Sequence, residues 1–108
     1  MVAMHKMVTT MSVAQEILSQ LGGNRFIAMT GAKSFVGSGD SLTFKLPSGF
    51  AKDGINCVVI TLTAMDDYIV EYLSIRAGKV KAVAYSDGIY FDTLQKDFTA
   101  KTGLHTHL

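Results

Sequence analysis

Residues 57–86 run CVVITLTAMDDYIVEYLSIRAGKVKAVAYS, and the architecture turns on them. Cys57 to Thr63, Tyr68 to Arg76 and Lys79 to Ser86 each have the β-branched and aromatic content that favours pleated strands. Side chains alternate along a strand, so Val58, Ile60 and Leu62 share one side of the first. In the second, Ile69, Leu73 and Ile75 oppose Tyr68, Val70, Tyr72 and Arg76. The Ala77-Gly78 step allows a tight reversal, because glycine takes positive φ without a Cβ clash. Three strands with two very short links predict an antiparallel meander.

Outward from that meander, Leu42, Phe44 and Leu46 alternate with Thr43 and Lys45, the pattern of a half-buried strand. Residues 24–33, NRFIAMTGAK, alternate Phe26 and Ala28 with Ile27 and Met29, which predicts a further short strand broken by Gly31. Ser34 to Val36 extend it, and 37–40 turn. Ser12 and Gln15 have capping-box spacing, followed by Val13, Ile17, Leu18 and Leu21 at helical intervals and a Gly22-Gly23 stop. A second box, Asp92 to Gln95, opens a C-terminal helix whose stripe holds Leu94 and Phe98 and which ends at Gly103. The expected fold is therefore α+β and two-layered. It has a four- to five-stranded antiparallel meander with an N-terminal and a C-terminal helix on one face, in the order α-β-β-β-β-β-α.

A chain of 108 residues is the size of one domain and buries enough surface to need neither disulfide nor metal. Residues 12–108 form that domain. Residues 1–11, which hold four of the six methionines, read as a flexible tail or an ambiguous translation start. Cys57 is the single cysteine, which excludes an internal disulfide and fits a reducing cytoplasm. A formal charge of +1 belongs neither to an acidic mimic of nucleic acid nor to a non-specific DNA coater. No apolar run reaches the ~20 residues that span a bilayer.

Signatures of chemistry are sparse. His105 and His107 form an H-x-H pair, two ligands where a metal site takes three or four. Asp66-Asp67 sits in a tight link where aspartates cap turns. Gly31-Ala-Lys33 and the glycines at 37 and 39 do not have phosphate-loop spacing. The expectation is accordingly no enzyme, no catalytic residue, no metal and no cofactor.

The suggestive pattern is basic and aromatic. Arg25, Lys33, Arg76, Lys79 and Lys81 fall on or beside strands, and Tyr68, Tyr72 and Arg76 share a side by alternation. Taken as the exposed sheet face, these seven residues are the candidate binding surface. Such a face stacks single-stranded bases and holds phosphates. Tyrosine and arginine are equally the residues of protein-binding hot spots. The plain alternative is a solvated sheet with lysines guarding its edges.

Three segments carry a resemblance: residues 22–33, GGNRFIAMTGAK; Gly54-Ile-Asn56 before a strand; and Thr102-Gly-Leu104. From Ser12 onward the chain resembles small uncharacterised reading frames of bacteriophages, plasmids and other bacterial mobile elements. The resemblance implies a cytoplasmic protein of a bacterial host cell and supplies no activity and no functional residues. Together with the absent catalytic motifs, it leads to an expected function of non-enzymatic association with a host or phage protein, as in counter-defence inhibition. Single-stranded nucleic-acid binding by the sheet face is the alternative. A homodimer through a bare sheet edge or apolar helix face is a further expectation.

Overall fold

The computed structural model describes residues 13–106. The tail at 1–11, the Ser12 cap and His107 lie outside them. Residues 13–21 form helix α1, Gly23–Thr30 helix α2 and Leu94–Thr102 helix α3. Between α2 and α3 run β1 (Lys33–Ser38), β2 (Ser41–Lys45), β3 (Cys57–Leu62), β4 (Tyr68–Arg76) and β5 (Lys79–Ile89). The five strands pair antiparallel in sequence order, β1-β2-β3-β4-β5. The α+β class and the open meander are as the sequence reading has them.

Residues 24–30 are a correction: they are helical, so two helices precede the sheet rather than one helix and a strand. A seven-residue window fits both periods. The helix wins because Phe26 and Thr30, four apart, both reach the core while Arg25, Ala28 and Met29 face solvent. The Thr30 hydroxyl donates to the Phe26 carbonyl at 2.8 Å, and Gly31, with left-handed φ of 73°, closes the end by donating its N–H to Ile27 O. The same device ends α3. There Thr102 Oγ1 donates to Phe98 O at 2.7 Å and Gly103 N to Thr99 O at 2.8 Å. Phe-x-x-x-Thr-Gly is thus a helix terminator used twice.

The capping box at 92–95 is not formed. Thr93 is the N-cap of α3 without a side-chain cap bond, and its hydroxyl instead donates to Tyr90 O. Gln95 is drawn away to the Gln20 carbonyl at 2.9 Å and accepts from Thr106. A tertiary tie has displaced a local one.

All three helices seat on one side of the sheet. Ala14, Ile17 and Leu21 from α1, Phe26 from α2 and Leu94 and Phe98 from α3 meet the inward set of the strands. Four phenyl rings form the middle of that layer. Phe26 lies edge-on to Phe44 and to Phe98, with centroids 5.4 and 5.2 Å apart, and Phe35 lies 5.5 Å from Phe44. At Gly37 on β1 an added Cβ would come within 2.8 Å of Ala14 Cβ. That glycine lets α1 rest directly on the strand.

The β4–β5 turn has positive φ at both central residues, 51° at Ala77 and 78° at Gly78. Two such residues suit the twist of a two-residue hairpin, but alanine carries a Cβ penalty there. Ala77→Asn, which tolerates this region, is expected to stabilise the protein by about 0.5–1 kcal/mol in urea unfolding. Phe98→Ala should cost about 3–5 kcal/mol in the same measurement, because the ring joins two helices to the sheet.

Candidate functional site: the uncovered face of the sheet

Tyr68, Val70 and Tyr72 turn toward the helices, and Ile69, Glu71, Leu73 and Ile75 turn away. Tyr68 and Tyr72 do share a side, as alternation requires, but it is the covered one. Both are buried, which corrects their placement on an exposed surface. They go inward because the helices supply partners for the two hydroxyls. Tyr68 donates to Gln20 Oε1 at 2.6 Å, and Tyr72 donates to Asp97 Oδ2 at 2.7 Å. Asp97 also accepts from Ser86 Oγ at 2.8 Å and from Lys101 Nζ at 3.2 Å. This carboxylate therefore clamps α3 to β4 and β5.

The other expected residues scatter. Arg25 is exposed on α2 and belongs to no strand. Lys33 opens β1 on the uncovered face, opposite Lys45. Arg76, Lys79 and Lys81 are exposed at the far end of the β4–β5 ribbon, where Arg76 pairs with Lys79 and Ser74 with Lys81. They keep the parity of the covered face but lie beyond β3, whose pairing with β4 ends at Cys57–Leu73. Arg76 packs over Gly54, where an added methyl would approach Nη2 to 3.3 Å. Asn56 steadies the ribbon by imitating one more strand residue. Its side-chain amide donates to Ile75 O at 2.9 Å and accepts from Ile75 N at 2.8 Å.

The uncovered face follows from strand register, since residues directly opposite in antiparallel pairs point the same way. One row crosses all five strands: Val36, Thr43, Val59, Glu71 and Tyr85. The row beside it holds Lys33, Lys45, Cys57, Leu73 and Ala82. Ile75 and Val80 continue the apolar surface along the ribbon, and Ile69 with Thr61 flanks it on the other side. Tyr85 is 58% exposed, Val36 57% and Val80 64%, while Val59, Ile69, Leu73 and Ile75 are half-buried by their neighbours alone. No described residue lies over this surface as the helices lie over the other.

Among the described residues the charges on the face are unpaired: the Glu71 carboxylate has no hydrogen bond or ion pair, and neither Lys33 nor Lys45 has a carboxylate partner. Cys57, between Lys45 and Leu73, is itself buried, and that burial pushes its thiol pKa up, with Lys45 offsetting part of the rise. It is set as a packing residue, not as an activated nucleophile.

The links away from the face are structural. Asp67 accepts from the Thr63 hydroxyl, which itself accepts from Met65 N, so the Asp66-Asp67 turn is closed on itself. Among the described residues no three metal-ligating side chains gather, and no helix is long and apolar enough to cross a membrane. An open hollow of about 610 Å³ lies beside α3, lined by Phe91, Lys96, Thr99 and His105. No family model, no curated protein and no solved structure matches the chain.

Burial and the Asp97 carboxylate hold the Tyr72 proton, raising its pKa from the ordinary value of 10.0. The folded state thus keeps a proton that the unfolded state sheds above that value. Stability is expected to be insensitive to this group below about pH 10 and to fall above it, by up to about 1.4 kcal/mol per pH unit. Tyr72→Phe should flatten that decline in urea unfolding followed against pH.

Proposed function

We propose that the chain is a non-enzymatic binding protein that docks another protein on the uncovered face of its sheet. The observation that carries this reading is the apolar surface of Val59, Ile69, Leu73, Ile75, Val80 and Tyr85, which lies on the side opposite the three described helices and has no described element over it. Contiguous exposed apolar surface of this kind marks interaction sites on soluble proteins. The shape supports it too, because a twisted sheet is a broad, rigid platform whose side chains lose little freedom on contact. The partner class comes from the mobile-element resemblance and is a host or phage protein, bound in the bacterial cytoplasm. Inhibition by steric blocking needs nothing more than such a surface.

The structure's own arrangement weighs against base stacking on the sheet, since two of its three strand tyrosines are spent on the core. The cationic ribbon end, Arg76, Lys79 and Lys81, still favours a second reading in which it holds phosphates of a single strand. That reading requires salt-dependent binding of a fluorescent oligonucleotide, lost in the triple alanine variant. No binding at low salt removes it.

Leu73→Lys with Tyr85→Ala alters the face while leaving the helix-covered core intact. Used as bait in bacterial lysate, the wild type should enrich a defined protein that this variant, folded by circular dichroism, retains at least about tenfold less. Equal recovery by both baits contradicts docking at this face.

A further inference from the structure

The uncovered face is chemically self-complementary, and we infer that a second copy of the chain occupies it, forming an isologous face-to-face dimer whose two-fold axis runs close to the direction of β3. The inference rests on reading this face as a docking surface and names the occupant that closes it when no other protein is bound.

β3 is the middle strand, with β2 and β4 equidistant on either side and β1 and β5 outside them. A two-fold along β3 therefore lays each strand over its counterpart across the sheet, β2 over β4 and β1 over β5. The row Val36, Thr43, Val59, Glu71, Tyr85 then meets itself reversed. Val59 faces Val59 at the axis. The two most exposed ends, Val36 and Tyr85, cover each other, an aromatic on a β-branched residue. Glu71 comes over Thr43, whose hydroxyl can donate to it. Lys45 stands two residues from Thr43 on the same strand, about 7 Å along it, within reach of two extended side chains across sheets stacked about 10 Å apart.

Charge is what selects this occupant. Among the described residues Glu71 has no cation partner, and Lys33 stands directly opposite Lys45, a like-charge pair that is unfavourable without a counter-ion. Both deficits lie on the one face, with carboxylate on β4 and ammonium on β2, so the rotation that exchanges these strands removes both at once. A generic apolar partner would leave Glu71 buried and unpaired, which is costly.

The sheet edges are guarded against the alternative of edge-to-edge pairing. β1 is irregular between Lys33 and Val36, with Ser34 at φ 58°, and β5 is irregular at two places along its register with β4. Such bulges, with Lys79 and Lys81 on β5, twist and charge an edge out of register with a copy of itself.

Sedimentation equilibrium of the full chain at micromolar concentrations tests the proposal. The wild type should be dimeric. Lys45→Glu and Glu71→Lys should each weaken dimerisation about tenfold or more, and the double reversal should recover most of the loss, a coupling that a merely destabilised fold does not produce. Val59→Lys, at the axis, should give folded monomer by circular dichroism. A monomeric wild type overturns the dimer, as does a dimer indifferent to Val59→Lys or a double reversal no better than the singles. None of these three results touches the docking reading, which stands or falls on the lysate comparison of wild type with the Leu73→Lys, Tyr85→Ala variant.

Discussion

The contact of Phe26 with both Phe44 and Phe98 decides which side of this sheet is closed. One ring on α2 touches β2 and α3 at once, so the helices before the sheet and the helix after it are drawn to a common face. Tyr68 and Tyr72 are committed by the same choice, their rings packed in the core and their hydroxyls tied to Gln20 and Asp97. Apolar side chains on the other parity are then left without a layer of their own. The open face is the complement of the aromatic core.

The polar ties explain why the core can use tyrosines at all. A buried phenol is costly without a partner, and here the partners come from opposite ends of the chain, Gln20 from α1 and Asp97 from α3. Gln95 reaching the Gln20 carbonyl links those two helices directly. The closed layer is therefore a knit unit of apolar packing with a few satisfied polar contacts at its rim. The described residues show no buried side-chain polar atom without a partner.

Strand pairing was legible from local pattern, because β-branched runs separated by Asp-Asp and Ala-Gly links admit little else. Which face turns inward was not. Alternation sorts Tyr68, Tyr72 and Arg76 from Ile69, Leu73 and Ile75 but is silent on which set is buried, and by hydrophobicity the second set looks the better core. Only the positions of Gln20 and Asp97, forty-eight and twenty-five residues away from their tyrosines, reverse that choice. Helix α2 failed for a different reason, since seven residues fit period 2 and period 3.6 alike. A usable signal was present: Phe26 to Gly31 repeats the Phe-x-x-x-Thr-Gly ending of 98–103, a segment that reads as a helix end. Of the candidate surface, Lys33 falls on the open face and Arg76, Lys79 and Lys81 on the exposed ribbon, while Arg25 belongs to a helix.

The open side of the sheet carries Glu71, Lys33 and Lys45, none of which has an ion-pair partner among the described residues. The account stands on the second face being bare in the single chain. The direct measurement is methyl NMR with a soluble paramagnetic agent, at a dilution where sedimentation shows monomer. Methyl signals of Ile69, Leu73 and Ile75 are expected to broaden strongly while those of Val58, Ile60 and Val70 are spared; equal protection of the two sets would contradict it.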